Sequence, residues 1–430
     1  NTSNSLTFST SENHTKTKVP LVTNIHTVEL SKNGGIEFLV CDAENNKVLL
    51  LRKTDKVWQE TVLAEAQIPV HTEVVDYDHD GDKDIIVSVL GAFPPSEKLV
   101  GEVLLLRQSE SGEFVKEVLL SGVGRVTDAR PADIDGDGDL DVAVAIFGGG
   151  TVGELMWLEN IGTGKHKYHR LLGLSGALNI SPTDLNADGK VDFVSLFSQE
   201  HEMIVALINK GDGEFERVSV GKAPHPMLGS TGMKLTDLDS DGDMDILFTN
   251  GDAHDLQMDP KPYHGVQWYE NTGNLKFKYH NIGQFYGTAS AVAGDLDADG
   301  DIDVVAASWS NYWDDPKRQS LIWFENDGEQ NFARHNIISR PHGIVSMELV
   351  DVTGDNKLDI VASIFRTDLM IKRMLAQRKE GLVENTAADD KTLFDGEPSI
   401  SRIIFLENQD LRPGRQSKSK PKPKPKPKPH

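Results

Sequence analysis

An all-β ring is the fold this sequence predicts: a seven-bladed β-propeller with four-stranded blades, the last of them completed by an N-terminal strand. Three observations predict it. An Asp-rich segment recurs with a period of roughly 50 residues. Short β-branched and aromatic runs follow each copy. The last copy lacks a fourth strand, and the N-terminus carries a spare one.

The recurring segment reads DYDHDGDKDIIV from Asp76, DIDGDGDLDVAV from Asp133 and DLNADGKVDFVS from Asp184. It continues as DLDSDGDMDILF from Asp237, DLDADGDIDVVA from Asp295 and DVTGDNKLDIVA from Asp351, with a degenerate copy, ELSKNGGIEFLV, from Glu29. Successive starts lie 47, 57, 51, 53, 58 and 56 residues apart, too long for a coil of a β-helix and suited to a propeller blade.

Within the unit around Asp133 one strand (VTDARPADI) enters the acidic loop and a second (LDVAVAIF) leaves it. A third, GELMWLEN, recurs as VLLLRQ, VALINK, VQWYEN, LIWFEN and IIFLEN, and a fourth, KHKYHRLL, follows the turn IGTG. Such runs between Gly, Asn and Asp clusters are strand and turn chemistry. On the repeated third strand Trp157, Trp268 and Trp323 read as packing residues between blades. After IIFLEN the chain runs into a tail, so the early segment SLTFSTSENHTKTKV is expected to supply the seventh blade's missing strand and close the ring.

These repeats resemble FG-GAP/VCBS repeats, as in integrin α-subunit propellers and many bacterial secreted proteins, over roughly residues 5–409. The resemblance implies a propeller that binds calcium. It leaves the activity open, because one fold hosts many.

The residues give their own reason for calcium. The consensus is D-x-D-x-D-G-x-x-D, and alternating carboxylates on a tight loop supply the oxygen ligands that calcium takes. In the second copy Asp76, Asp78, Asp80 and Asp84 are the expected ligands, with the main-chain carbonyl of Asp82. Three copies are complete: Asp133, Asp135, Asp137, Asp139 and Asp141; Asp237, Asp239, Asp241, Asp243 and Asp245; Asp295, Asp297, Asp299, Asp301 and Asp303. The copy with Asp184, Asn186, Asp188, Lys190 and Asp192 keeps an oxygen at the third position. In the copy with Asp351, Thr353, Asp355 and Asp359, Asn356 replaces the glycine, so its site is expected to be weaker. The first copy offers only Glu29, Ser31, Asn33 and Glu37 and is expected to stay empty. A helix-loop-helix calcium hand needs a glutamate at loop position twelve, where this chain has Val87, Val144, Ser195, Phe248, Ala306 and Ala362. About six structural calcium ions are therefore expected, at millimolar concentration and so outside the cytoplasm: secreted, at a cell surface or periplasmic.

Composition sets bounds on the partner. The net charge of −23 argues against nucleic acid, which needs a basic face. No run approaches the 18 apolar residues of a membrane span. The lone Cys41, in the strand LVCDAE, is expected to be a small buried residue. A start at Asn1 without methionine reads as a form whose export signal has been removed.

Topology predicts two unlike faces. All acidic loops join first to second strands and share one face. Loops joining second to third strands share the other, with the starts of the first strands near the axis. That second face is idiosyncratic, and its candidate ligand residues are His71, Asp128, Arg130, Glu200, His201, Glu202, His254, Asp255, Tyr263, His264, Trp309, Trp313 and His342. Aromatic rings beside His, Asp and Arg suit sugar stacking, peptide binding or acid–base chemistry. The clusters Glu200-His201-Glu202 and Asp252-His254-Asp255 are also candidates for a transition-metal site, and no short catalytic signature appears. An insertion over about residues 366–400 begins with the helix formers RTDLMIKRMLAQRKEGL, expected to lie over this face.

Residues 1–410 read as the propeller and 411–430 as a disordered Lys/Pro tail. The tail's eight basic residues leave the rest near −31, and it is suited to contact an anionic polymer. The leading reading is a non-enzymatic propeller that binds a protein or polysaccharide through the face opposite the calcium loops. Its rivals are a lyase-like enzyme on extracellular polysaccharide using His, Tyr and Arg of that face, and a structural subunit of a surface assembly.

Overall fold

The computed structural model describes residues 6–12, 16–30, 35–54, 57–93, 96–162, 164–253, 259–379 and 399–409. Seven four-stranded antiparallel sheets form a ring. In blades 1 to 6 the strands lie in sequence order from the axis outward. Their first strands are Val22–Val28, Pro69–Val75, Val126–Ala132, Ala177–Thr183, Ser230–Thr236 and Thr288–Gly294. Blade 7 starts with Ile344–Val350, and each first strand touches the next one around the axis, blade 7 returning to blade 1.

Burial grades outward and explains the composition. Second strands such as Asp141–Ile146 and Asp303–Ser308 are buried at every position, because a blade covers each side. They therefore read as near-continuous runs of Val, Ile and Ala. Fourth strands such as His166–Leu172 and Phe332–Ile338 are largely exposed or half-buried. Among the described residues seven apolar clusters each fill the space between two blades. Trp157, Trp268 and Trp323 lie in three of them, as expected; His169 and His280 stack on the first two at 4.4 Å, and His335 sits tilted against Trp323 at 4.7 Å.

The ring closes as the sequence predicts. Phe8–Glu12 pairs antiparallel with Ile403–Asn408, from Phe8 opposite Asn408 to Glu12 opposite Ile404. Lys16–Thr17 adds a second pairing, to Ile400–Ser401. Across the joint the buried Arg402 guanidinium pairs with Asp42 and Glu60 of blade 1, and Trp58 stacks on Phe405 at 4.6 Å. One device leaves no mark in the sequence. Each first strand carries a register slip near its start, and in three blades a threonine at the slip reaches the next blade. Thr23 donates to the Pro69 carbonyl at 2.6 Å, Thr127 to Ala177 at 2.8 Å and Thr231 to Thr288 at 2.8 Å. Cys41 is fully buried.

The insertion starts as the expected helix, Thr367–Lys379. Leu369 packs with Val19, Leu21, Ala43, Ile68, Leu90 and Phe365, so the helix covers blades 7, 1 and 2 on the face away from the acidic loops. Arg373 fastens it through a two-pronged pair with Glu44 at 2.7 and 2.9 Å. Residues 380–398 of the insertion and the Lys/Pro tail lie outside the described residues. No helix among the described residues is long and apolar enough to cross a membrane.

Candidate metal loops and the opposite face

The six acidic loops share one hydrogen-bond scheme. The first-position aspartate accepts from the amide of position six: Asp76 from Gly81 at 3.1 Å, Asp133 from Gly138 at 3.2 Å, Asp184 from Gly189 at 2.9 Å. Asp237 does so from Gly242 at 3.0 Å, Asp295 from Gly300 at 3.0 Å and Asp351 from Asn356 at 2.7 Å. Position six has positive φ in every loop, which glycine adopts freely and Asn356 tolerates at 63°. Position four is also left-handed, including His79, Ala187, Ser240 and Ala298, a feature the consensus does not reveal. The fifth-position aspartate accepts from the amide of position seven: Asp80 from Asp82, Asp137 from Asp139, Asp241 from Asp243 and Asp299 from Asp301, at 2.8–3.1 Å.

The ninth-position aspartates are buried clamps. In Asp84, Asp141, Asp192, Asp245, Asp303 and Asp359 one oxygen accepts from the second residue of the same loop. The other accepts from the end of the third strand: Gln108, Asn160, Asn209, Asn271, Asn326 or Asn408, at 2.7–2.8 Å. Each thus ties loop, second strand and third strand together. Glu37 does the first half of this in blade 1, accepting from Leu30 at 2.8 Å and pairing with Arg52. Ser31 and Asn33 lie outside the described residues.

Carboxylates converge in four loops. Oxygens of Asp76, Asp78 and Asp80, of Asp133, Asp135 and Asp141, of Asp237, Asp239 and Asp245, and of Asp295, Asp297 and Asp299 come within 4.8 Å of one another. Burial pushes Asp141 and Asp245 up to about 7 and Asp303 up to about 8. Oδ1 of Asp76 is buried and has no hydrogen-bond partner among the described residues. An all-oxygen donor set of this kind fits a hard divalent cation. The other two loops carry their own counter-charge at position seven. Lys190 reaches Asp188 at 3.4 Å, and Lys357 reaches Asp355 at 3.3 Å. In blade 2 the third-strand Arg107 pairs with Asp78, where blades 3, 5 and 6 have Glu159, Glu270 and Glu325.

On the axis, His71, Asp128 and Arg130 form a closed network rather than a row of free ligands. Nε2 of His71 lies 2.7 Å from Glu73 and 3.6 Å from Asp128; Arg130 contacts Asp128 at 2.9 Å and also pairs with Glu73. Asp128 further accepts from the Ile180 amide at 3.1 Å, linking blades 3 and 4. Burial raises the Glu73 carboxyl, but His71 and Arg130 outweigh it and hold it at about 2. His26 stacks beside His71 with ring centres 6.5 Å apart, and the network faces an axial cavity of about 950 Å³.

The remaining candidates spread over blades 4 to 7. Glu200 is exposed, with His201 3.8 Å away. Glu202 is turned inward, accepting from Ser230 Oγ at 2.6 Å, Ser230 N at 3.1 Å and Gly229 N at 3.3 Å. Burial, reinforced by Asp252, pushes its carboxyl up to about 7. Glu200, His201 and Glu202 do not converge on a common point, and His254 and Asp255 lie outside the described residues. His264 is fully buried, and its Nδ1 faces the amides of Lys261 and Gly287, both at 3.2 Å. Burial, helped by Lys261, holds it neutral, with its pKa lowered to about 4.

Loops on this face overlap like tiles. Trp309 donates to Gly251 at 3.1 Å, the Tyr312 hydroxyl to Pro260 at 3.2 Å and the Tyr263 hydroxyl to Met227 at 2.7 Å. Trp313 stacks on His342 at 4.0 Å, and Arg318 lies against the rings of Tyr286 and Tyr312. Tyr286 and Arg318 are 32 residues apart in the chain, and folding alone brings them together.

Residues 147–248 and 297–362 match the family model described as the FG-GAP-like repeat. No curated protein sequence matches. Among solved structures, BBS1N in complex with ARL6DN, soaked with lead, superposes over 94% of this chain and 98% of that one, at 11% identity and a TM-score of 0.50. The same complex soaked with mercury gives 10% identity and 0.52 over the same shares. At such identity the likeness is one of fold.

Proposed function

We propose that this seven-bladed propeller with FG-GAP-like repeats is a calcium-stabilised binding module working outside the cytoplasm, and that it engages a partner protein through the face opposite the acidic loops. The observation that carries the reading is the tiled surface of blades 4 to 7. Rigidly held loops there present Tyr263, Tyr312 and Trp313, with Tyr263 and Tyr312 well exposed. Amphipathic rings on a fixed scaffold favour protein contacts. The crystallised complex of BBS1N with ARL6DN is one instance of this fold holding a protein.

The lyase-like alternative needs a histidine free to move a proton. His264 spends Nδ1 on two amides and is buried, and His342 lies under Trp313 with burial lowering its pKa to about 4. Neither is placed as a general base.

Calcium would be held by the converging carboxylates, with the ninth-position aspartates serving also as clamps. Bound cations would relieve carboxylate repulsion and fix the first-to-second-strand loops, a structural role. Cross-linking capture of partner proteins at millimolar calcium, with the linked peptides mapped, tests the docking claim. Links on blades 4 to 7 between second and third strands are expected; links confined to the acidic-loop face would overturn it.

A further inference from the structure

Between blades 4 and 5, on the docking face, lies a cavity of about 480 Å³. Its walls include Glu202, Phe248, Tyr263, Tyr269 and Tyr279. Glu202 is only 3% exposed, and among the described residues its donors are the Gly229 amide and the Ser230 amide and hydroxyl, with no Lys or Arg. Lys222, at the same cavity, is exposed and does not reach it. A buried carboxylate without a counter-charge is costly. Aromatic rings line the same cavity, and their π-faces attract cations. Phe248 stacks on Tyr269 at 5.4 Å, and Tyr269 meets Tyr279 edge to face at 5.5 Å.

The cavity wall is built closely. A Cβ at Gly221 would fall 2.0 Å from the Tyr269 hydroxyl, so glycine is what lets that ring stand where it does. The Tyr263 ring is fixed from the other side by its bond to Met227.

We infer that this cavity receives the ammonium group of a lysine side chain from the partner protein, with Glu202 as its counter-charge and the tyrosines as its walls. The inference rests on the docking reading above and specifies its chemistry. Lysine is favoured over arginine by acceptor count. Glu202 already accepts three hydrogen bonds, from the Gly229 amide and from the Ser230 amide and hydroxyl. A carboxylate has about four acceptor sites, so roughly one remains. That suits a compact point charge and leaves no room for a two-pronged guanidinium contact.

The test uses the whole chain and two probes, Nα-acetyl-lysine methylamide and its Nε-acetylated counterpart, titrated calorimetrically with calcium present. The charged probe should bind at least about tenfold more tightly than the neutral one. Glu202→Gln should abolish that preference, and Tyr279→Ala, which alters an exposed ring and leaves the Ser230 latch intact, should weaken the charged probe about threefold. Melting curves of both variants report whether they fold. Equal binding of the two probes, binding of neither, or a preference that survives Glu202→Gln in a folded protein would overturn the inference. Capture of a partner by the tiled loops is measured separately, so a failed cavity with intact capture removes the lysine assignment and leaves the docking reading standing.

Discussion

The two faces of this ring are made by the same strands, yet they are built on different rules. On one face the connection between first and second strands repeats six times with the same amide-to-carboxylate bonds, down to the clamp made by Asp84, Asp141, Asp192, Asp245, Asp303 and Asp359. On the other, the second-to-third-strand loops differ in length and sequence, and four of them are held by unlike contacts: Thr151 on Glu97, Tyr263 on Met227, Tyr312 on Pro260, Arg373 on Glu44. Repetition marks what every blade needs in order to stand. Variation is what the proposed docking face would need to tell one partner from another.

If that division is right, perturbing the acidic face changes stability, and perturbing the other changes recognition. The largest effect should come from chelating calcium. With several sites each contributing about 1–2 kcal/mol, the melting temperature should fall by about 10 °C or more. Next is a clamp: Asp303→Ala strips acceptors from the amides of Leu296 and Asn326 and should cost about 2–5 kcal/mol in denaturant unfolding. Asp303→Asn, which keeps one oxygen, should cost less.

A smaller effect belongs to the axis. Glu73 is held at about 2, below its ordinary value, so the folded state releases this proton more readily than the unfolded chain. Its contribution is complete above about pH 4.5 and is lost as pH falls toward 2. Subtracting the stability–pH curve of Glu73→Gln from that of the wild type should leave a difference that shrinks across this window; a constant difference would count against the network. Smallest for stability is Tyr312→Ala, expected to shift unfolding by under about 1 kcal/mol while cutting partner capture severalfold. Equal loss of stability and capture would erase the distinction between the faces.

What the sequence revealed follows the same line. Seven copies of one pattern betray a ring, and a missing fourth strand in the last copy betrays how it closes at Phe8–Glu12. The clamp was half visible: the aspartate stood in the consensus and the Asn of the repeated EN stood on the third strand, but only folding joins Asp141 to Asn160 or Asp303 to Asn326. Left-handed residues such as Ala187 and Ala298 carry no compositional mark. On the other face, His264 looked like an exposed loop histidine and is a buried amide holder. Glu202 looked like one of three ligands in a row and is an inward latch. Loops without a period give no register from which side-chain direction can be read.

Cations in the acidic loops are what the repeated face is proposed to need, and counting them is the most direct test. Native mass spectrometry of the intact chain, taken through falling calcium, should show about six ions at saturation, with the Asp184 and Asp351 loops, which carry Lys190 and Lys357, emptying first. A chain that binds no calcium at millimolar concentration, or that melts at the same temperature whether loaded or stripped, would contradict it.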